Sequence, residues 1–227
     1  FTRFNGGSMC GGPAVCVATY LSDQLSALEY VYTTLRQTHA IAAVNMSLGG
    51  GNYPNACDGD LRKALIDNLR SAGIATVASA GNGNMTDSIV GPACVSSAVA
   101  AGGITDTDNP PADSVLYSMG QMVDLLAPAR SITTSGVGGG FGTASGTSFA
   151  APLVSGAFAL CKSANPSLSV DQVESILEQT GVPVPDQRSG GMYTKPRLQM
   201  DAAIAACQQV NRWTGAPGAS WHDPANW

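Results

Sequence analysis

The sequence predicts an α/β layered fold with a mostly parallel β-sheet. Short apolar runs alternate along the 227-residue chain with segments whose apolar residues recur at helical spacing. The runs themselves do not alternate between apolar and polar residues, which is typical of strands that are buried on both faces. The length suffices for one domain with a sizeable core and a short tail.

The first half of the chain begins with a helix and a strand. The segment 22–37 carries its apolar residues on one helical face, and the apolar run 40–47 follows as a buried strand. Asp58 and Asp60 are predicted to open the next helix, which Gly73 ends as a C-cap.

Three more strands are predicted at 74–80, 95–101 and 123–126. A polar loop that contains Asp106 and Asp108 separates the last two. Together with the run 40–47, these strands would form the sheet.

The last third of the chain is predicted to be largely helical. The helix that starts near Ser148 is apolar nearly all round, so we expect it to be buried at the centre of the fold. Ser169 and Gln172 form a capping box for a helix that Gly181 ends, and 198–210 predicts the last helix.

The composition argues against two classes of partner. Charged residues make up 12% of the chain and the net charge is −5, which disfavours nucleic acid and anionic membranes. The sequence contains no apolar run of eighteen residues, so no membrane span is predicted.

The segment 146–152, Gly-Thr-Ser-Phe-Ala-Ala-Pro, is the most informative for chemistry. It places Ser148 at the N-terminus of an apolar helix, where a serine could act as a nucleophile or simply as an N-cap. A nucleophilic serine needs a neighbouring base, usually histidine. The chain has two histidines, His39 and His222, and neither stands in a recognisable catalytic motif.

Two other segments place polar groups at strand ends. Asn82 follows the strand 74–80, at the edge where parallel sheets bind ligands, and its amide could donate to an oxyanion; alternatively it serves a turn that needs positive φ. Ser47, Leu48 and Gly49 end the strand 40–47, and their exposed backbone could pair with an extended peptide or form an ordinary turn.

These segments resemble the subtilisin-like serine proteases, the subtilases. Residues 146–152 match the family's serine motif GTSxAxP completely. Residues 44–50 and 78–83 are similar to its substrate strand and its oxyanion-hole segment, and they follow in the family's order. With weaker similarity at 123–129, the resemblance covers roughly residues 1–207.

The resemblance implies a three-layer subtilisin-like fold and a serine endopeptidase that hydrolyses peptide bonds of proteins by an Asp-His-Ser mechanism. Ser148 would be the nucleophile, and Asn82 with the backbone N–H of Ser148 would hold the oxyanion. The substrate-binding residues would be Ser47, Leu48, Gly49, Ala80 and Gly81. No cofactor is required. Calcium is a structural ion in relatives, but no metal-ligand set stands out in this sequence.

The family's Asp and His precede the substrate strand, and they are missing from this sequence. Asp23 and His39 lie there, but they fit a helix start and a helix end rather than the family's motifs. We therefore expect residues 1–210 to be a partial peptidase domain that lacks its N-terminal strands. The strand 40–47 would then be a bare sheet edge, and the chain alone would be unstable or aggregated.

Residues 211–227 differ in composition from the rest. They contain all three tryptophans among glycines and prolines, so we expect a linker and the start of a following β-rich module. This organisation and the six cysteines predict a secreted or cell-surface protein.

Six cysteines allow fifteen pairings, and the sequence alone does not choose among them. One expected pair closes a short loop rich in Gly and Pro. By the logic of the subtilase fold, a second joins the loops that flank the Asn82 strand and a third ties two C-terminal helices. The pairs are Cys10–Cys16, Cys57–Cys94 and Cys161–Cys207. The alternative is buried free thiols.

Three other functions are weighed against the protease. The domain could be a catalytically dead, peptide-binding module of a surface protein. An α/β-hydrolase could use Ser148 with His222, but no strand precedes the serine. A cysteine protease built on Cys10 or Cys16 would need a helix at the cysteine.

For the subtilase-like protease, residues 78–81 with Ile89 and Val90 would line the first specificity pocket, which indicates apolar substrate side chains.

Overall fold

The computed structural model describes residues 2–7, 12–105, 117–136 and 138–210, with side chains from residue 17 onward. The strands are β1 (Thr2–Gly7), β2 (Gly12–Ala18), β3 (Ala43–Met46), β4 (Gly50–Tyr53), β5 (Ala75–Ser79), β6 (Ile89–Gly91), β7 (Val99–Ile104), β8 (Leu125–Pro128), β9 (Ile132–Ser135), β10 (Phe141–Ala144), β11 (Val182–Pro185) and β12 (Thr194–Arg197). The helices are α1 (Leu21–Thr33), α2 (Lys63–Ser71), α3 (Thr147–Ala164), α4 (Val170–Thr180) and α5 (Met200–Gln209). Short 3₁₀ turns lie at Leu35–Gln37 and Gln187–Ser189.

Six strands form the central sheet in the order β11-β12-β8-β7-β5-β3. Every neighbouring pair from β12 to β3 is parallel, and only β11 runs antiparallel to its neighbour. The parallel α/β fold predicted from the sequence is confirmed. The remaining strands form three two-stranded antiparallel ribbons, β1–β2, β4–β6 and β9–β10.

Helices cover both faces of the sheet and make three layers. On one face, α3, α4 and α5 bury a cluster that includes Val154, Phe158 and Leu177. On the other, α1 and α2 bury a second cluster through Leu28 and Ile66. Because strands β5 and β7 are buried on both faces, their residues are apolar or small throughout.

The predicted C-terminal helices agree with the structure, but the strands β11 and β12 between the last two helices are not among the predicted elements. Helix α4 begins at the expected capping box, in which Gln172 N–H donates to Ser169 Oγ and Gln172 Oε1 accepts from Ser169 N–H. Gly181 is its C-cap. None of the helices in the described part of the chain combines the length and apolar character that a membrane span requires.

Two predictions on the middle of the chain are wrong. Asp58 does not open a helix, because its carboxylate accepts hydrogen bonds from the N–H and Oγ of Ser96, and α2 begins only at Lys63. The strand expected at 95–101 starts at Val99, since residues 95–98 form hydrogen-bonded turns. Asp106, Asp108 and the tail 211–227 lie outside the described residues.

The expected burial of α3 on all sides is also wrong. Val154, Ala157 and Phe158 are buried, but Leu153 and Leu160 are 45% and 49% exposed. We call Leu153, Gly156, Ala159 and Leu160 the open face of α3, because all four are exposed. The described chain covers this face only in part: Leu153, Gly156 and Leu160 line a groove with Leu198 and Met200, and both leucines remain nearly half exposed.

The open face continues into the sheet edge. Strand β3 has one neighbour, β5, and its other side is unpaired in the described chain. Between β3 and α3 lies an edge groove of 910 Å³, lined by residues 40–43 and Asn45 on one side and by Ser155, Gly156 and Ala159 on the other. This edge is where the sequence predicts a bare strand.

Two disulfides agree with the expected pairing. Cys57 bonds Cys94, 37 residues away, and Cys161 bonds Cys207, 46 residues away. The first joins the loops on either side of β5, and the second links α3 to α5. The predicted Cys10–Cys16 pair lies outside the described residues because Cys10 does.

Candidate active site

Ser148 is the second residue of helix α3, at the end that points to the carboxyl edge of the parallel strands. Its Oγ donates to the carbonyl oxygen of Ser47 at 3.4 Å, which is long for a hydroxyl hydrogen bond. The hydroxyl is therefore weakly held and available to another partner.

Pro152 explains a second contact between the same two serines. Proline has no N–H, so the carbonyl of Ser148, four residues earlier, has no helical donor. Ser47 Oγ donates to that carbonyl oxygen at 2.7 Å. The end of β3 and the start of α3, 101 residues apart in sequence, are thus hydrogen-bonded to each other.

Asn82 follows β5 and is fixed by the first turn of α3. Its Oδ1 accepts from the N–H of Thr147 at 2.9 Å and from Thr147 Oγ1 at 3.0 Å. Because a backbone N–H can only donate, the atom facing Thr147 must be the amide oxygen, and the Nδ2 group is left on the other side as a donor. Thr147 is fully buried, and its Oγ1 also accepts from the N–H of Gly81 at 3.1 Å.

Gly146 permits this close approach. Its φ is +151°, and a Cβ built there would lie 3.1 Å from Asn82 Nδ2. Gly146 and Thr147 belong to the serine motif, but the sequence alone assigns neither of them a role. The contacts identify Thr147 as the residue that orients Asn82, and only the folded structure brings the two together.

The predicted substrate residues divide into an exposed and a buried group. Ser47 and Leu48 are half-buried and Gly49 is exposed, on the segment that leaves β3. Ala80 and Gly81 are buried, and their carbonyls accept from the N–H groups of Val90 and Ser118 respectively. Ala80 and Gly81 therefore form a wall behind the site.

The described chain supplies no base to Ser148. His39 is exposed after α1. Its ring Nδ1 is hydrogen-bonded to Thr38 Oγ1 at 2.8 Å, and its backbone N–H donates to the carbonyl oxygen of Leu35. Asp23 is exposed in the first turn of α1, as expected for a helix-start residue. Within the ranges that the structure describes, no histidine is hydrogen-bonded to Ser148. His222 lies outside them.

An acidic cluster that the sequence did not reveal lies away from this site, beside α4. Asp124, Glu174 and Glu178 each have an oxygen within 4.8 Å of the others'. Burial, and next the charge of Glu174, raises the pKa of Asp124 to about 7. Burial likewise raises the pKa values of Glu174 and Glu178 and lowers the pKa of the nearby Lys195.

The acidic cluster fits a calcium ion poorly. Asp124 Oδ2 accepts from the N–H of Ala100 at 2.7 Å, and Glu174 Oε2 is bonded to Arg70. A cation with six to eight oxygen ligands would compete with both contacts and with the positive charge of Arg70 and Lys195. We assign no metal site to these residues.

Comparison with known proteins gives one consistent result. A family model described as the subtilase family matches residues 13–201. Alkaline serine exoprotease A of Vibrio alginolyticus is 37% identical over 136 residues, which is 60% of this chain and 24% of that protein. Subtilisin E of Bacillus subtilis is 36% identical over 140 residues, 60% of this chain and 35% of that protein.

Solved structures agree with these sequence matches. A cold-adapted subtilisin-like serine proteinase superposes with a TM-score of 0.66 at 28% identity, over 81% of this chain and 62% of that one. The prenylagaramide maturation protease PagA shares the fold, with a TM-score of 0.65 at 24% identity, over 83% of this chain and 68% of that one. The chain spans about a quarter to a third of the length of the two curated relatives named above.

Proposed function

Because the chain belongs to the subtilase family, we propose that it supplies the nucleophile and the oxyanion site of a secreted serine endopeptidase. The observation that carries the proposal is the start of α3. There Ser148 has a weakly held hydroxyl, and Thr147 turns the Asn82 amide so that its N–H₂ group is free to donate.

In the proposed reaction, Ser148 Oγ attacks the carbonyl carbon of a peptide bond, and a histidine takes the hydroxyl proton. The oxyanion accepts hydrogen bonds from Asn82 Nδ2 and from the N–H of Ser148. That N–H is among the first of α3 and lacks a helical acceptor. The histidine then protonates the leaving amine, and water hydrolyses the acyl-enzyme ester.

The substrate backbone would lie along Ser47, Leu48 and Gly49 as an added strand. The exposure of Gly49 supports this placement, because an incoming chain needs uncovered backbone groups. The hydrogen bond from Ser47 Oγ to the Ser148 carbonyl also supports it, since it holds the strand end beside the nucleophile.

We further propose that the histidine and the aspartate come from a part of the same domain that packs against the edge groove. The unpaired side of β3 and the open face of α3 together present an apolar surface that would otherwise face solvent. Residues 1–210 would then be a partial peptidase domain, and 211–227 a linker into a following module.

Two observations support secretion to the outside of the cell or to its surface. The described residues form two disulfides, and such bonds persist in oxidising compartments. The relatives include proteins named as an exoprotease and as an extracellular serine proteinase, from Vibrio alginolyticus and a Thermus strain.

The test is covalent labelling of the full-length gene product with a small ethyl fluorophosphonate. We expect labelling of the native protein and none after Ser148→Ala. Ser155→Ala is the matched control on the same helix, because Ser155 Oγ bonds only the carbonyl of Ala151 within its own helix. A folded full-length protein that neither labels nor cleaves casein would contradict the protease and favour a peptide-binding module.

A second variant tests the oxyanion site separately. Thr147→Val removes the hydroxyl that holds Asn82 while keeping the shape of the side chain. We expect turnover to fall about tenfold or more, and by less than in Asn82→Ala, for which a loss of about 10²–10³ is expected. Unchanged turnover in both variants would exclude Asn82 from the reaction.

A further inference from the structure

Val90 lies between the two glycines that border the site. It is the middle residue of β6, and its side chain occupies the crevice between the segments that follow β3 and β5. A Cβ built on Gly49 would be 2.4 Å from Val90 Cγ2, and one built on Gly81 would be 2.7 Å from Val90 Cγ1. One methyl group of Val90 therefore touches each wall.

This crevice opens beside the reacting atoms. Gly81 precedes Asn82, and Gly49 lies two residues after Ser47, whose carbonyl contacts Ser148 Oγ. A peptide paired with 47–49 turns alternate side chains to opposite sides. The residue whose carbonyl is attacked by Ser148 would direct its side chain between the two glycine walls, onto Val90.

Val90 is held firmly in place. Its N–H donates to the carbonyl of Ala80 at 3.0 Å, and its neighbours Ile89 and Gly91 are buried and pair with β4. A large substrate side chain could therefore not displace Val90 without disturbing this ribbon.

We propose that Val90 makes the protein cleave after residues with small side chains, namely Gly, Ala and Ser. Val90 closes the floor of the crevice, and the backbones of Gly49 and Gly81 form its walls. The crevice is therefore shallow, and the side chain of the acyl-side residue must be small to fit. The inference rests on the proposed function, and it replaces the expectation of apolar substrate side chains with a preference for small ones.

The experiment compares peptide substrates that differ only in the acyl-side residue, Ala or Phe, with the full-length protein. We expect kcat/KM for the Ala peptide to exceed that for the Phe peptide by about 10- to 200-fold. Val90→Gly should reverse this preference, and Val90→Ala should shift it part of the way. Val90→Thr, which keeps the branched shape, should leave the ratio unchanged.

The ratio of the two rates is independent of how much of a variant folds, since both peptides meet the same enzyme. A native protein that favours Phe, or a Val90→Gly variant with the native ratio, would overturn the inference. Labelling by ethyl fluorophosphonate does not depend on an acyl-side residue. A protein that labels but prefers Phe therefore contradicts only the role of Val90, whereas a protein that does not label contradicts the proposed function as well.

Discussion

The two faces of helix α3 differ although they belong to one continuous helix. On the buried face, Val154, Phe158 and Cys161 are at most 1% exposed and pack between the sheet, α4 and α5. On the open face, Leu153 and Leu160 are nearly half exposed. The sequence is apolar on both faces, so the difference lies in what the described chain provides to cover them.

The two faces differ in the role that we propose for them: the buried face positions Ser148, and the open face would receive the part of the domain that activates it. The buried face anchors α3, and hydrogen bonds of Thr147 and Ser47 hold its start against Asn82 and the end of β3. The open face and the edge groove are the side from which we propose that the histidine comes.

The largest effect is expected from truncating core side chains of α3. Phe158→Ala should reduce the free energy of unfolding of the full-length protein by about 3–5 kcal/mol, because it leaves a cavity in the core. Leu160→Ala should cost about 2–4 kcal/mol if a further part of the domain covers the open face. Urea denaturation monitored by circular dichroism gives both values.

The control is Leu61→Ala, at a leucine that is 69% exposed and lies outside both faces of α3. The free energy of unfolding of this variant should stay within about 0.5 kcal/mol of that of the native protein. If Leu160→Ala reduces the free energy of unfolding as little as Leu61→Ala does, the open face is exposed to solvent in the full-length protein. The proposed covering part then does not pack there.

The next effect concerns the disulfide that links the buried face to α5. Replacing Cys161 and Cys207 together by Ala should lower the free energy of unfolding by about 2–4 kcal/mol, because the unfolded chain loses its constraint. The matched variant replaces Cys57 and Cys94, whose loop has a similar length. Comparable losses are expected, and a loss below 1 kcal/mol in either variant would contradict a structural role for that bond.

A smaller, pH-dependent effect is expected at the acidic cluster behind the buried face. The folded-state pKa of Asp124, about 7, lies above the value in an unfolded chain, so the folded protein binds this proton more tightly. The resulting stabilisation is complete below about pH 4 and is lost as the pH rises through 7. Glu174, Glu178, Lys195 and Arg70 surround the group and set its charge environment.

Asp124→Asn should remove this dependence. Asparagine keeps an acceptor for the N–H of Ala100, so stability above pH 8 should rise by about 1–2 kcal/mol relative to the native protein. Melting temperatures between pH 4 and 9 provide the measurement. A native protein whose stability increases steadily from pH 4 to 8 with the same slope in the variant would exclude Asp124 as the responsible group.

The smallest change in folding energy is expected from polar substitutions on the open face of the chain 1–227 alone. Leu153→Gln with Leu160→Gln should alter its stability by less than about 0.5 kcal/mol, yet raise the soluble monomer fraction severalfold. Size-exclusion chromatography measures that fraction. Val154→Gln with Phe158→Gln, on the buried face, should abolish soluble protein. A native chain that is already a soluble monomer would argue against a missing cover.

The sequence predicts well those features that depend on local patterns. The capping box of Ser169 and Gln172 and the parallel strand at 74–80 follow from spacing and from apolar runs, whereas the strand predicted at 123–126 lies two residues later, at Leu125–Pro128. The GTSxAxP motif and the Asn82 loop were found by resemblance, and the structure brings them together. Such features depend on residues that are close along the chain or on a pattern of fixed order.

Other features need the folded chain. The sequence predicts Asp58 at a helix start. In the folded chain its carboxylate instead accepts hydrogen bonds from Ser96, 38 residues away. The acidic cluster combines Asp124, which precedes β8, with Glu174 and Glu178 on α4. Their spacing in the sequence does not indicate that they lie close together. The exposure of Leu153 and Leu160 depends on what packs beside them, which the composition of a helix does not reveal.

The proline in α3 has a consequence for how the two halves of the site stay aligned. In a helix without proline, the N–H of residue 152 would share the Ser148 carbonyl with the Ser47 hydroxyl. Because Pro152 has no N–H, the Ser47 hydroxyl takes the place of the helical donor to this carbonyl in the described chain. The end of β3 and the start of α3 are therefore tied at one atom, so under the proposed function a shift of the strand that pairs with substrate would also move Ser148.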